Sequence, residues 1–317
     1  MRRSLVSCIL FGYLVGAGAA EPVPSAPEQD LGGQDSVMVR GRAAVRDLTE
    51  SVARHVDRWF GDKPFEPGGK VSGSIGLKFL AQQHESPEMN LRFRARLDLP
   101  NVKEQTYLFF GQENEQELIT DQPDAFTRRE LLLPEDRKAD LTGFAGLGYA
   151  LRDMIDFRAG VRGGFKPYAQ ARYKKNWLVS ERNGVEFRET LFWKPDDGFG
   201  ATTVFNVSHA FSPSVALRWQ SAGTISKETD GMAWASSLGV FKSYGVDRLA
   251  SLEAVVSGAT AASDDIGEYG VRAIWQQPIY REWTILEVSV GHFWPQGEAK
   301  AVRGQNWALG VGVDIRF

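Results

Sequence analysis

The last residues of the chain, 306–317, read NWALGVGVDIRF and alternate with a period of two. Successive side chains of a β-strand point to opposite sides, so each side collects every second residue. One side is apolar and consists of Trp307, Leu309, Val311, Val313, Ile315 and Phe317. The other is polar or small and consists of Asn306, Ala308, Gly310, Gly312, Asp314 and Arg316. The segment therefore predicts a strand that separates an apolar from a polar environment.

The same alternation extends back along the chain to about Lys70. Between Met89 and Leu99 the apolar residues lie on one side, whereas Arg92, Arg94 and Arg96 all lie on the other. Fourteen such segments are predicted as strands: 70–80, 89–99, 104–112, 140–151, 154–165, 168–178, 184–194, 198–211, 214–225, 231–243, 248–259, 267–277, 282–294 and 306–317. Twelve strands remain an alternative, because 104–112 is weakly patterned and only Lys166-Pro167 separates 154–165 from 168–178.

The length of these segments favours a barrel in a membrane. Most are 10 to 13 residues long, close to the roughly 9 to 11 residues of a tilted strand that crosses a bilayer. Strands of soluble sheets usually have about 5 to 6 residues. A β-sandwich also alternates, but it needs two sheets whose apolar faces meet. The mean hydropathy of −0.29, typical of a soluble protein, then averages two opposite surfaces.

Aromatic residues and connection lengths support the same fold, since membrane barrels place aromatic girdles at both interfaces and keep their periplasmic turns short. If Phe317 marks the periplasmic end, the outer rim holds Phe79, Phe165, Trp193, Phe199, Trp234, Trp294 and Trp307. The inner rim holds Tyr149, Phe157, Trp177, Phe211, Trp275, Tyr280, Trp283 and Phe317. The predicted inner turns are all short, whereas the outer connections 81–88, 113–139, 260–266 and 295–305 are long.

The N-terminus predicts secretion. Arg2 and Arg3 precede an apolar stretch from Leu5 to Val15 and then small residues up to Ala20, which is the pattern of a signal peptide. The only cysteine, Cys8, lies inside it, so the mature chain has no disulfide. We therefore divide the chain into a signal peptide (1–20), a periplasmic leader with an amphipathic helix (21–69) and the barrel (70–317).

The helix is predicted between Ser36 and Phe60. Its apolar residues recur at spacings of three, four or seven, with charged residues between them. These apolar residues are Val37, Ala44, Leu48, Val52, Val56 and Trp59.

Together these features resemble a bacterial outer-membrane β-barrel protein of the porin-like type, without pointing to a characterised branch. The final strand, with Trp307, Ile315 and the terminal Phe317, resembles the signal that such proteins present to the barrel-assembly machinery. The resemblance implies a closed antiparallel barrel in the outer membrane of a Gram-negative bacterium. It also implies that outer-membrane lipids, lipopolysaccharide and the assembly machinery are partners.

The inward side of the predicted strands carries many charges, and basic residues predominate. The candidate pore-lining residues are Arg92, Arg94, Arg96, Arg158, Arg162, Arg172, Arg188, Arg218, Arg272, Glu253 and Glu287. Because rings of fixed arginine charge select permeating anions, we predict a narrow passive channel for small, anionic solutes. A network of arginine–carboxylate pairs that fills the barrel is an equally open interpretation. Loop 113–139 or the N-terminal helix could also close the lumen.

Two further functions remain as alternatives, a lipid- or lipopolysaccharide-modifying hydrolase and a barrel without transport activity. A hydrolase needs a nucleophile in contact with a base. Ser208 and His209 are neighbours on a predicted strand and should face opposite sides, and His292 lies beside Phe293 and Trp294 at the outer rim. We therefore predict no enzymatic activity, no cofactor and no metal. The net charge of −3 gives no reason to expect nucleic-acid binding.

Overall fold

The described part of the chain forms a closed barrel of fourteen antiparallel strands preceded by one helix, as seen in a computed structural model. The structure describes residues 34–57, 70–83, 85–98, 105–114, 118, 141–227, 229, 231–260, 266–296 and 303–317. The helix is α1 (Gln34–Asp57). The strands are β1 (Lys70–Gln82), β2 (Glu85–Asp98), β3 (Thr106–Asn114), β4 (Leu141–Arg152), β5 (Ile155–Arg162), β6 (Lys166–Ser180), β7 (Asn183–Lys194), β8 (Gly198–Ser212), β9 (Val215–Ser226), β10 (Gly231–Gly245), β11 (Arg248–Ala259), β12 (Glu268–Tyr280), β13 (Thr284–Pro295) and β14 (Asn306–Arg316).

Each strand pairs with its neighbours in sequence, and the barrel closes where β1 pairs with β14. Closure leaves no strand edge with unpaired backbone groups. The prediction of fourteen strands is confirmed, and the alternative of twelve is wrong. The signal peptide predicted at 1–20 lies outside the described residues, as do Trp59 and Phe60.

Two predicted connections were wrong in length. The stretch 81–88 is not a long outer loop, because β1 extends to Gln82 and β2 already begins at Glu85. Backbone pairing continues past the end of the apolar alternation there, with a register shift between Leu80 and Gln82. The turn after β2 is longer than predicted, because β3 begins only at Thr106.

The two ends of the barrel differ in their connections. At the end that carries α1, which we call the α1 end, β4–β5, β6–β7, β8–β9 and β10–β11 are joined by turns of two residues. At the opposite end, the far end, residues 115–140 join β3 to β4 and residues 296–305 join β13 to β14. This asymmetry agrees with the predicted distinction between short inner turns and longer outer loops.

The outer wall is apolar on nearly every strand. Exposed outward side chains include Leu77, Phe79, Met89, Leu91, Leu147, Phe157, Leu191, Trp219, Leu238, Val240, Leu252, Val271, Val290, Trp307 and Leu309. A soluble monomer rarely exposes a contiguous apolar patch above a few hundred Å². This surface therefore needs an apolar environment.

Aromatic residues collect towards the ends of the outer wall. Near the far end, Tyr269 stacks on Trp294 at 5.3 Å, and His292 lies 4.3 Å from Trp294 and 4.2 Å from Trp307 between ring centroids. Phe93 stacks on Phe317 at 6.4 Å near the α1 end. Both groups lie where the predicted girdles place them.

The helix α1 packs on the outside of the wall and does not plug the lumen. Ala53 is fully buried against Leu97, together with Val71, Leu108 and Phe110. These partners alternate with the inward residues of β1, β2 and β3, so they belong to the outer face. In the part of the chain that the structure describes, no helix is both long and apolar enough to cross a membrane.

Inside the barrel, several aromatic rings lie flat against glycines of a neighbouring strand. A Cβ atom at Gly148 would overlap the ring of Tyr107, and one at Gly200 would overlap the ring of Phe192. The missing side chain lets the ring follow the wall rather than project across the lumen. Glycines on the inward side therefore leave space for the charged residues described next.

Candidate functional site

The structure places all the predicted pore-lining residues on the inward side of their strands. The arginines at 92, 94 and 96 follow one another on β2, and those at 158 and 162 on β5. The remaining residues lie on β6, β7, β9, β11, β12 and β13 and are Arg172, Arg188, Arg218, Glu253, Arg272 and Glu287. Their function in a pore stays a prediction.

A basic cluster forms around Asp156 on β5. Arg158 Nε donates to Asp156 Oδ2 at 3.0 Å, and Arg172 Nη2 donates to the same oxygen at 2.8 Å. The Tyr107 hydroxyl donates to both carboxylate oxygens, at 2.8 and 2.9 Å. The Arg96 guanidinium lies 3.6 Å above the centroid of the Tyr107 ring. One carboxylate thus lies between two guanidinium groups, with a third close by, and the net charge of the cluster is positive.

The basic surface continues around the wall, and we call it the vestibule. It consists of the inward residues Arg92, Arg94, Arg96, Arg158, Arg172, Lys174, Arg188 and Arg218. Arg94 and Arg96 are exposed, and the side chain of Lys174 is 41% exposed. Arg158 and Arg172 keep about a fifth of their side-chain surface accessible, at 22% and 23%. These cations are therefore within reach of a solute in the lumen.

Among the described residues, the carboxylates of the vestibule are fewer than its cations, and they include Asp314, which lies across Gly76 from Arg92. Besides Asp156, Glu186 pairs with Lys174 at 3.1 Å, and Asp98 pairs with Arg96 at 3.1 Å. Ion pairs and exposed cations thus occur on the same wall. Pairing fixes the side chains in position, and the described part of the vestibule carries more cations than carboxylates.

On the opposite side of the barrel the inward charges are buried in pairs. Arg272 Nη2 lies 3.0 Å from Glu253 Oε2, and both side chains are 2% exposed. Ser251 Oγ donates to the other oxygen of Glu253 at 3.2 Å. Glu287 lies 3.8 Å from Lys78 Nζ. These predicted pore-lining residues are less accessible than the vestibule, because small side chains on neighbouring strands let them pack together.

Arg162 lies at the far end and is separate from the vestibule. Its Nη2 donates to Asp196 Oδ2 at 3.1 Å, and Lys166 Nζ donates to the same oxygen at 2.9 Å. The hydrogen bond and charge of Lys166, together with Arg162, hold the pKa of Asp196 below its ordinary value of 3.8. This trio connects the turn after β5 to the turn after β7.

The connection between β3 and β4 enters the lumen at Leu118. This residue is 4% exposed and belongs to a cluster of inward aromatic side chains. The cluster extends from Tyr107 and Phe109 on β3 to Phe144, Tyr168 and Phe192 in the far half of the barrel. Leu118 is the one position between 115 and 140 that the structure describes, and closure of the lumen by loop 113–139 stays an open alternative.

Sequence reasoning missed Tyr107 and Leu118. The alternation of β3 does place Tyr107 on the same side as Phe109, which was the available signal. Its hydrogen bonds to Asp156 on β5 could not be predicted, because they cross β4 and depend on Gly148 for space. Nothing in the charged sequence around Leu118 distinguishes it as a lumen residue.

The residues of the hydrolase alternative do not form a catalytic pair. Ser208 lies on the inward side and donates to the Gly184 carbonyl at 3.3 Å, whereas His209 faces outward, 2.7 Å from Asn183. His292 also faces outward, between Trp294 and Trp307.

The three residues of the predicted assembly signal lie on the outer face. Trp307 and Ile315 belong to β14, and Phe317 directly follows this strand. Their recognition by the barrel-assembly machinery stays a prediction.

A comparison with protein-family models and a comparison with curated protein sequences match nothing. Solved structures do resemble the fold. The KdgM porin in complex with disordered oligogalacturonate is 8% identical, with a TM-score of 0.38, over 77% of this chain and 99% of that chain. The anion-selective porin from Comamonas acidovorans is 9% identical, with a TM-score of 0.44, over 78% and 99%. The CymD monoaromatic hydrocarbon channel is 8% identical, with a TM-score of 0.40, over 78% and 88%.

Proposed function

We propose that this protein is an outer-membrane barrel that acts as a passive channel for small anionic solutes. The observation that carries the proposal is the vestibule, in which one Asp156 carboxylate serves two guanidinium groups and further arginines line the same wall. The proposal has three parts, which concern the membrane, the charge of the solute and the size of the solute.

The outer wall supports membrane insertion. A strand such as β7, with 12 residues, is about 40 Å long at a rise of about 3.3 Å per residue. Tilted by about 40°, it spans about 30 Å, which matches the hydrocarbon core of a bilayer. Its outward residues include Leu191, which is 56% exposed. A signal peptide at 1–20 and the outer-membrane location belong to this proposal, as do lipopolysaccharide and the assembly machinery as partners.

The vestibule supports selectivity for anions. Fixed positive charges on a narrow wall raise the local concentration of anions and lower that of cations. Arg94 and Arg96 add to this field because both are exposed to the lumen. The pairs of Arg96 with Asp98 and of Lys174 with Glu186 keep the cations in place without reversing the sign of the charge.

The position of Leu118 inside the barrel supports an upper limit on the size of the solute that can pass. Leu118 packs on the aromatic side chains of β3, β4, β6 and β7 and so occupies part of the cross-section. Large solutes would have to displace this contact. The proposed channel is therefore narrow at the far half and wider and basic towards the α1 end.

Neighbouring lysines of β6 provide a matched test of selectivity. Lys174 faces inward beside Arg172, whereas Lys175 faces outward, 5.5 Å from the Trp177 ring. We expect Arg172→Gln with Lys174→Gln to lower the anion-to-cation permeability ratio in planar bilayers about twofold. Lys175→Gln should leave this ratio unchanged. An unchanged ratio in the inward double variant, or an equal effect of the outward variant, would contradict the proposal.

A further inference from the structure

The helix α1 follows the circumference of the barrel at the α1 end. Arg42 Nε donates to the Arg316 carbonyl at 2.9 Å, and its guanidinium lies 5.0 Å from the Trp283 ring. Eleven residues later, Ala53 packs against Leu97. Eleven residues of helix are about 16 Å long, close to the roughly 14 Å from β13 past β14 and β1 to β2 at about 4.8 Å per strand.

This course takes α1 across the strand pair that closes the barrel. Arg316 ends β14, and Leu97 lies on β2, so the pair of β1 and β14 lies between the two contacts. A helix that follows the circumference also lies roughly perpendicular to the barrel axis. In an inserted barrel it would lie in the plane of the bilayer surface.

The residues of α1 form rows around the helix axis, since successive residues are about 100° apart, and the exposed row that contains Arg40, Asp47 and Ser51 points away from the barrel wall. The row on the wall consists of Arg42, Val45, Thr49 and Ala53, of which Thr49 and Ala53 are buried. A row about 100° to one side contains the exposed Ala44 and Leu48. The row to the opposite side is charged and consists of Arg46, Glu50 and Arg54.

The charged row is suited to water. Arg46 and Arg54 both pair with Glu50, at 3.0 and 3.6 Å, and about half of each arginine side chain is exposed, at 53% and 47%. The opposite row is suited to lipid. Leu48 is 67% exposed. Because these two rows lie on opposite sides of the wall row, one can face the bilayer while the other faces water.

The described members of the predicted apolar stripe, Ala44 and Leu48, thus do not pack on the barrel, although the helix itself is confirmed. Helical spacing alone shows which residues share a face, but not which of two apolar environments that face meets. The wall takes the row with the small Thr49 and Ala53, which permit close approach to Leu97. The larger Leu48 is left exposed.

We propose that α1 is an interfacial helix, whose row of Ala44 and Leu48 contacts the acyl chains of the adjacent lipid leaflet. The inference rests on the proposed membrane location but not on channel activity. Amphipathic helices of this kind lie with the apolar face about 5–10 Å into the boundary between headgroups and acyl chains. The helix α1 carries four acidic and four basic residues, so apolar contact rather than net charge is the attraction. The lipid would thereby hold α1 across the closing strand pair.

Spin labels on single cysteines test this contact in the full-length mature protein. Labels at Leu48→Cys and Glu50→Cys compare the two rows, in nanodiscs of phosphatidylethanolamine and phosphatidylglycerol. Leu309→Cys on the outer wall serves as the lipid reference, and Glu181→Cys in the turn after β6 as the water reference. The measurement is the ratio of collision rates with oxygen, which enters lipid, and with a water-soluble nickel complex.

We expect the label at position 48 to match position 309 and the label at position 50 to match position 181, with ratios that differ several-fold. Equal accessibility of positions 48 and 50 to the nickel complex would overturn the inference. If position 309 is also accessible to nickel, the membrane location fails as well, so the two failures are distinguishable. In Ala53→Trp, a larger side chain at the wall contact should displace the helix and make position 48 accessible to nickel. If position 48 stays protected in this variant, its protection does not depend on the observed contact.

Discussion

At the scale of single residues, adjacent positions of a strand face different environments, one outside the barrel and the other inside it. Lys174 and Lys175, or Ser208 and His209, are neighbours in sequence but lie on opposite faces of the wall. Alternation predicts these sides from the sequence because a strand has a fixed period of two. It does not predict contacts across two strands, such as Tyr107 with Asp156, since these depend on register and on the space that Gly148 leaves.

Substitution of two glutamates on β7 tests which residues face outward and which face the lumen. Glu189 faces outward near the middle of the strand and accepts a hydrogen bond from Thr203 Oγ1 at 2.7 Å. Glu186 faces inward and pairs with Lys174 at 3.1 Å. A carboxylate in hydrocarbon is unfavourable, so we expect Glu189→Leu to stabilise the barrel in lipid vesicles by up to about 2 kcal/mol.

Glu186→Leu is the control for this prediction. Loss of the partly exposed pair should destabilise the barrel by about 0.5–1 kcal/mol. The measurement is the free energy of unfolding in urea for both variants and the unmodified protein. Destabilisation by Glu189→Leu would show that Glu189 does not face lipid.

Substitutions of Gly148 and Gly143 on β4 test whether aromatic rings inside the barrel need glycine beside them. A methyl group at Gly148 would overlap the Tyr107 ring, whereas one at Gly143 would have only the Gly111 carbonyl oxygen at 4.0 Å. We expect Gly148→Ala to destabilise the barrel by about 1–3 kcal/mol, because the ring must leave its place beside Asp156. Gly143→Ala should change the free energy of unfolding by less than about 0.5 kcal/mol. Equal effects of both variants would contradict this account.

At the scale of elements, the strands were well predicted and the connections less so. The apolar pattern shows where a strand is embedded, but backbone pairing continues beyond it, as β1 and β2 show at the far end. The position of α1 on the outer wall also could not be predicted, because an amphipathic stripe does not identify its partner. The entry of Leu118 into the lumen is a tertiary contact without a local signal.

The stability of the barrel should depend on pH through the ion pairs of Asp196 with Arg162 and Lys166. The folded state lowers the pKa of Asp196 below 3.8, so the ionised carboxylate stabilises the fold above that pH. The stabilisation disappears as the pH falls through the lower, folded-state value. We therefore expect Asp196→Asn to lower the midpoint of thermal unfolding slightly at pH 7, and this difference should vanish at acidic pH. A difference that is as large at pH values well below 3.8 as at pH 7, or that grows as the pH falls, would be inconsistent with these ion pairs.

Displacement of the connection between β3 and β4 from the lumen should raise the conductance of the channel. Leu118 is buried among aromatic rings, and an unpaired carboxylate there is strongly unfavourable. We expect Leu118→Asp to expel this part of the connection and to raise the single-channel conductance. Ile266→Asp is the control, because Ile266 precedes β12 at the far end and is 41% exposed. An unchanged conductance in Leu118→Asp would show that this contact does not narrow the lumen.

At the scale of the whole molecule, the closed barrel reconciles a hydrophilic composition with an apolar outer wall. The topology could be predicted because each strand pairs with its neighbours in sequence, so the number of strands and the alternation together define the barrel. The width of the lumen could not be predicted from the sequence, since it depends on ion pairs and on aromatic rings that pack against glycines inside the barrel.

Conductance of the purified protein in planar bilayers shows whether anions pass through the barrel. In a salt gradient across the bilayer, the proposed channel should produce discrete conductance steps and a reversal potential with the sign of anion selectivity. Removal of residues 36–60 should preserve the steps, because α1 packs outside the lumen. The absence of any conductance from correctly folded protein, with and without these residues, would contradict the proposed channel.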